Sequence, residues 1–261
     1  MAAAIPAVAL VTGGSRGIGR AAAQRLAARG VRVALNYHRN EAAAREALAS
    51  LGGSGHALFP ADVSDPRACI ALVASVQKKY GRIDVLVNNA GLYEKHDPKK
   101  VDFAEWERTW RQTIDTNLTG PAHLAFVAAR LMRKHPIDPA QSWGSGRIIN
   151  ISSRGAFRGE PTAPAYGAAK AGLNSFGQSL AQSLAPERIY VFTIAPGWVA
   201  TDMANPHLAG PRAAEILSQH PLGRVATPEE VADTVAWLAT DAPASLTGCI
   251  IDLNGASYLR T

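Results

Sequence analysis

The sequence is poor in the residues that build special chemistry on their own. Of 261 residues only two are cysteine and three are methionine. Cys69 and Cys249 make neither a metal-ligand spacing nor a disulfide framework, so a reducing, cytoplasmic setting is expected. The seven histidines include no His-Glu-x-x-His and no His/Cys cluster, so no metal is expected. No apolar run approaches the ~20 residues that a membrane-spanning helix needs. Met1 to Val11 is apolar but lacks a basic leader and runs straight into Thr12-Gly13-Gly14, which reads as a first strand, not a signal peptide. Polybasic tracts are missing too. The formal charge is +6, yet Lys and Arg are scattered beyond pairs such as Lys78-Lys79 and Lys99-Lys100. The basic balance thus predicts a solvated surface, with neither nucleic acid nor membrane as partner.

Short β-branched runs alternate with longer Ala/Leu-rich stretches. Val8–Val11, Val31–Asn36, Ala57–Phe59, Ile83–Val87, Ile148–Ile151, Val191–Ile194 and Cys249–Leu253 read as strands. Helices are expected over 18–29, with Gly30 to end it, over 41–51, over 68–80 behind Asp65-Pro66, and over 102–134, which opens on a capping box of Asp102 and Glu105. A further helix lies between the fifth and sixth strands, and Thr227-Pro228-Glu229-Glu230 caps one to about Thr240. The Pro/Gly-rich stretch 135–146 reads as a loop, and 211–220 as a short helix in a mobile loop with a lid's position. This alternation predicts an α/β fold: one Rossmann-like, doubly wound parallel sheet of about seven strands with helices on both faces, forming a single domain over 1–261.

Thr12-Gly13-Gly14-Ser15-Arg16-Gly17-Ile18-Gly19 joins the first strand to the first helix. Gly13 suits a tight turn, Gly17 lets the backbone approach a pyrophosphate, and Gly19 lets helix and strand close up. The helix start then offers unpaired N–H groups and partial positive charge to phosphates. An ordinary βα loop is the bland alternative. The second strand ends in Asn36-Tyr37-His38-Arg39. Tyr37 stands where an acid would hold the ribose of a cofactor lacking the 2′-phosphate, and His38 and Arg39 follow. Arg16 in the glycine turn can reach the same spot, with no carboxylate placed there. This pattern points to NADP(H), leaving open which basic side chain meets the phosphate.

Tyr166 and Lys170 are four apart in a helical stretch and share a face. A phenol with pKa near ~10 is a poor base at neutral pH. A neighbouring ammonium favours the phenolate, which lets Tyr166 exchange a proton with an alkoxide or alcohol. Ser152 and Ser153 end a strand, where open α/β sheets bind ligands. Asn117 lies in the middle of the long helix, unfavourable by propensity, and reads as a kink or a satisfied buried amide.

Taken in order, these motifs make the chain similar to the short-chain dehydrogenase/reductase family, most of all to its 3-oxoacyl-carrier-protein reductases. The resemblance implies that Asn117, Ser153, Tyr166 and Lys170 are catalytic: Ser153 bonds the substrate oxygen, and Asn117 holds a water linked to the lysine. It places Asp62-Val63 against the adenine and Asn89, Ala90 and Gly91 along the cofactor, with Asn88 structural. It assigns Pro196-Gly197, Val199 and Thr201 to the carboxamide and phosphates. Together with Gly13, Ser15, Arg16, Gly17, Ile18, Gly19, Tyr37, His38, Arg39, Tyr166 and Lys170 these form the expected cofactor site. Arg154 and Arg158 are either substrate-carboxylate or phosphate contacts, or solvated charges. The implied activity is hydride transfer between nicotinamide and a ketone or secondary alcohol. The partner is a small-molecule carbonyl or alcohol, or a 3-oxoacyl carrier protein. The long 135–146 loop and Glu187, where a docking base is expected, argue against the carrier. A homo-oligomer, tetramer or dimer, is implied, with Phe126, Leu173 and Phe176 on the contacting helices. The alternative of another class is a non-catalytic NADP-binding regulator, which would have lost part of the Ser-Tyr-Lys set.

Overall fold

The computed structural model describes residues 7–135, 144–211 and 213–260. Seven strands form one parallel sheet: β1 (Val8–Val11), β2 (Arg32–Tyr37), β3 (Ala57–Pro60), β4 (Val85–Asn88), β5 (Gly146–Ile151), β6 (Ile189–Pro196) and β7 (Ile250–Leu253). Their order across the sheet is β3-β2-β1-β4-β5-β6-β7, and every pairing is parallel. The sequential order reverses between β1 and β4. The crevice at the carboxyl ends of these two strands is therefore the place where such a sheet binds ligands.

Helices cover both faces. On one side lie α1 (Gly17–Ala28), α2 (Glu41–Ala49) and α10 (Pro228–Thr240); on the other lie α3 (Pro66–Tyr80), α5 (Gly120–Met132) and α7 (Pro164–Leu184). With both faces covered, the central strands read as continuous apolar runs. Val8, Ala9, Leu10 and Val11 are all fully buried, as are Val85, Leu86 and Val87. Small residues set the helix spacing: α1 buries Ala21, Ala22, Ala23 and Ala27 and packs closely on α10. The remaining helices are α4 (Phe103–Ile114), α6 (Gly155–Arg158), α8 (Asn205–Leu208) and α9 (Ala213–Ser218). Among the described residues no helix is long and apolar enough to cross a membrane.

Several boundaries differ from expectation for local reasons. Residues 83 and 84 precede β4, because Asp84 turns its carboxylate onto the Val8 N–H (2.8 Å) and takes a fork from Arg82. The capping box at Thr227 is complete, with Glu230 returning to the Thr227 N–H at 2.8 Å. At Asp102 the side chain accepts from the Glu105 N–H at 2.8 Å, which is the forward half of such a box. The expected helix over 102–134 is interrupted by one wide π turn at Asp115–Thr119. The expected 135–146 loop falls largely on residues 136–143, outside the described part; Gly146 already belongs to β5. Leu173, expected on an outer helix face, is instead in the core with 1% exposure, and Phe176 packs partly against that core. Phe126 alone of the three is open, under Arg130.

Gly120 starts α5 where the helix meets the segment after β3. A Cβ there would overlap the Val63 carbonyl oxygen and lie 3.0 Å from the Asp115 carbonyl oxygen. Both are backbone atoms, with no flexible end to move aside. Gly120→Ala is accordingly expected to destabilise the protein by about 1–3 kcal/mol, read as a shift in denaturation midpoint; unchanged stability would show that the helix slides freely.

Candidate active site

Thr12 at the end of β1 organises the cofactor side. Its hydroxyl donates to the Val87 carbonyl (3.1 Å) and accepts from the N–H groups of Asn89 (2.9 Å) and Ala90 (3.0 Å). The Asn89 amide returns to the Thr12 and Gly13 carbonyls. The glycine turn is thereby locked to the loop after β4. Gly13 and Gly17 have φ of +60° and +51°, where a side chain is strained. A Cβ on Gly19 would overlap the Gly13 carbonyl oxygen and come 2.5 Å from Asn89 Nδ2, which is the close packing its position predicts. The start of α1 carries no side-chain cap and no acidic residue, whereas Asn40, Asp65, Asp102 and Thr227 cap α2, α3, α4 and α10. Its first amides thus have no partner from their own chain, and this cradle fits a phosphate.

The turn opens into a cavity of about 550 Å³. Of the residues expected around a cofactor, all but Gly19 line it. Tyr37 is nearly buried, whereas His38 and Arg39 are exposed. One expectation fails here. A carboxylate does stand at this end: Asp62 Oδ2 is 3.4 Å from His38 Nε2. Burial would raise the Asp62 pKa, but hydrogen bonds from the Ser64 backbone and hydroxyl, with the His38 and Arg39 charges, outweigh it and hold the carboxyl below its usual range. No local pattern marks this contact, because residues 38 and 62 meet only across the ends of β2 and β3.

At the other end of the cavity, Ser153, Tyr166 and Lys170 line one wall. Ser153 follows β5 and accepts from the Gly155 N–H at 3.0 Å. Lys170 is 4% exposed; its ammonium donates to the Ile151 carbonyl at 2.7 Å and lies 5.8 Å from the Tyr166 ring centre. Ser152 donates its hydroxyl to the Lys170 carbonyl at 3.2 Å, which ties the end of β5 to α7. Burial pushes the Tyr166 phenol up to about 12; a hydrogen bond with Ser153 opposes this, and Glu160 and Tyr93 add to it. Burial also brings Lys170 down to about 8. The direction for Tyr166 is opposite to that expected from a neighbouring ammonium, because the loss of water around the phenol outweighs the Ser153 hydrogen bond.

Asn117 lies in the π turn, fully buried. Its amide clamps Leu92, accepting from the N–H and donating to the carbonyl, both at 2.9 Å. It does not line the cavity, but a Cβ on Gly91 would lie 3.2 Å from its Oδ1 and 3.6 Å from Lys170 Nζ. The kink read from the sequence is real, and the amide is satisfied. Asn88 bonds Asn150 at 2.9 Å, as its structural reading predicts.

The chain matches other proteins along nearly its whole length. The profile of the family described as enoyl-(acyl carrier protein) reductase covers residues 13–255. A 3-oxoacyl-[acyl-carrier-protein] reductase of Escherichia coli (strain K12) is 37% identical over 252 residues, 97% of both chains. This chain belongs to the short-chain dehydrogenase/reductase family. Members are oxidoreductases acting on C=O or CH–OH groups, and so is this one. The corresponding reductase of Synechocystis is 39% identical over 256 residues, again 97% of each chain. An acetoacetyl-CoA reductase of Shinella zoogloeoides is 38% identical over 251 residues, 96% of this chain and 98% of its own.

Sequence reading missed four residues of this short-chain dehydrogenase/reductase site. Tyr93, Trp198 and His207 add aromatic wall to the cavity. His96, fully buried, ties the loop after β4 to the start of α7: Nδ1 donates to the Glu94 carbonyl at 2.9 Å, and Nε2 accepts from the Ala165 N–H at 3.1 Å. A histidine capping a helix 69 residues away leaves no local signature. His96→Ala leaves the Ala165 N–H buried without its acceptor and is expected to cost about 1–3 kcal/mol of stability, seen by chemical denaturation. Lys170 generates a pH signature. Its folded pKa, about 8, lies below the model-compound 10.5, so the unfolded chain binds the extra proton between these values and stability rises with pH across that window. Lys170→Met should abolish the rise; a slope unchanged by the substitution would assign it to another group.

Proposed function

We propose that this chain is an NADP(H)-dependent oxidoreductase that moves a hydride between nicotinamide and a ketone or secondary alcohol, with Tyr166 as general acid/base. The observation that carries this reading is that one cavity joins the uncapped start of α1 to the wall holding Ser153, Tyr166 and Lys170. Arg16 and Arg39 at the cofactor end support the 2′-phosphate form, since guanidinium groups suit a dianionic phosphate. His38 shares this end with Asp62, so the two arginines carry that part of the argument. Asp62 and Val63 would flank the adenine, Asn89, Ala90 and Gly91 would line the cofactor, and Pro196, Gly197, Val199 and Thr201 would hold the carboxamide and phosphates.

When bound, a reduced nicotinamide supplies the hydride. Ser153 holds the substrate oxygen by a hydrogen bond and stabilises charge developing there. Tyr166, its pKa raised by burial, is protonated at neutral pH and gives its proton to that oxygen in reduction, taking it back in the reverse direction. Lys170 holds the end of β5 through Ile151 and places positive charge beside the phenolate that remains. Asn117 fixes the Leu92 backbone beside Gly91, and a water on that side would return a proton by way of Lys170. Its relatives are 3-oxoacyl-[acyl-carrier-protein] and acetoacetyl-CoA reductases, which makes a 3-oxo thioester the first substrate to try. A homo-oligomer in a cytoplasmic setting completes the reading.

The test is a carbonyl panel followed by nicotinamide absorbance with NADPH and with NADH. The wild-type chain should prefer NADPH. Tyr166→Phe should bind NADPH normally, by fluorescence titration, while turnover falls by about 10²-fold or more. Preference for NADH would overturn the arginine argument. Full turnover by the phenylalanine variant would remove Tyr166 from the proton transfer.

A further inference from the structure

Resting on the reductase reading above, we infer that the substrate pocket selects ketones bearing a flat aromatic ring beside the carbonyl. Four rings in succession form the wall next to the reacting group. Tyr93 meets Tyr166 edge to face, with centroids 5.1 Å apart and planes at 74°. His207 meets Tyr93 at 5.9 Å and 89°, and Trp198 meets His207 at 5.3 Å and 49°. All four line the cavity. They come from different parts of the chain: the loop after β4, α7, the segment after β6, and α8. No single element's packing accounts for their convergence. Each is only partly buried, so the chain has not spent this aromatic surface on its own core.

Edge-to-face and offset contacts reward a planar π-system beyond the area it buries, and a saturated ring of equal size lacks that gain. Cages of Tyr and Trp also bind organic cations. Here the charges on the same cavity argue otherwise. Arg154 is 3% exposed, and its guanidinium bonds neutral acceptors: Gln219 Oε1 at 3.1 Å and the Ser257 carbonyl at 3.5 Å. Arg158 meets Glu160 at 3.6 Å. Arg154, Arg158 and Lys170 outnumber the carboxylates of Glu160 and Asp202 on that side of the cavity and disfavour a cation, so the ring selected is neutral or anionic.

The experiment compares three 3-oxo esters with NADPH that differ only at the carbonyl: phenyl, cyclohexyl and methyl. Acetoacetyl-CoA serves as a fourth substrate. The phenyl ketone should exceed the cyclohexyl ketone in kcat/KM by about three- to tenfold. Trp198→Leu and His207→Leu keep apolar bulk but remove a ring, and each should bring that ratio towards one. If either variant misfolds, as judged by circular dichroism, the other and the wild-type ratio still decide the matter. Equal or better turnover of the cyclohexyl ketone, or activity confined to acetoacetyl-CoA, overturns the inference while the reductase reading stands. Absence of turnover with all four substrates, with either NADPH or NADH, overturns both.

Discussion

Lys170 lies almost wholly buried with its ammonium on the Ile151 carbonyl, while its own carbonyl accepts from Ser152. This reciprocal pair stitches the middle of α7 to the last residues of β5. Everything at the reacting end follows from it. Tyr166 is one turn earlier on the same helix, and Ser153 is the residue after the stitch. A buried cation is costly unless bonded, and here a single carbonyl and the adjacent ring answer the charge. The lowered pKa of Lys170 records the remaining cost.

The second anchor is neutral. Thr12, at the end of β1, gathers three backbone groups from the end of β4 and the loop after it, and Asn89 closes the same ring of bonds. The glycine turn is held at positive φ by contacts to the loop after β4 as well as by its own glycines. Rigid scaffold and reactive wall are consequently built on neighbouring strands, β1 with β4 and β5. They share one crevice because the order of the sheet reverses there.

Much of this was legible in the sequence. Strand cores announced themselves as apolar runs because both faces are covered, and Asp65-Pro66 and Thr227 marked helix starts because capping is local. The glycine turn and the Tyr166–Lys170 spacing are local too. What stayed hidden depends on contacts between distant segments. His96 capping α7, Asp62 beside His38, and the aromatic wall from Tyr93 to Trp198 have no short-range pattern. Leu173 lies on the covered face of α7, whose exposed face carries Ala168, Ser175, Ser179 and Gln182; an apolar side chain alone does not say which partner covers it. The phenol's direction of shift was misjudged because spacing reveals a neighbour but not the loss of water around it.

The wide turn at Asp115–Thr119 carries a consequence for how this fold varies. It accommodates one more residue than regular helix would, and it lies between α4, which packs on α7, and α5, which packs on α3. Excising that residue would let both flanking helices keep their packed faces while withdrawing the Asn117 amide from Leu92. The helical scaffold and the Asn117–Leu92 clamp thus rest on different features of this stretch: packed faces for the one, a single added residue for the other.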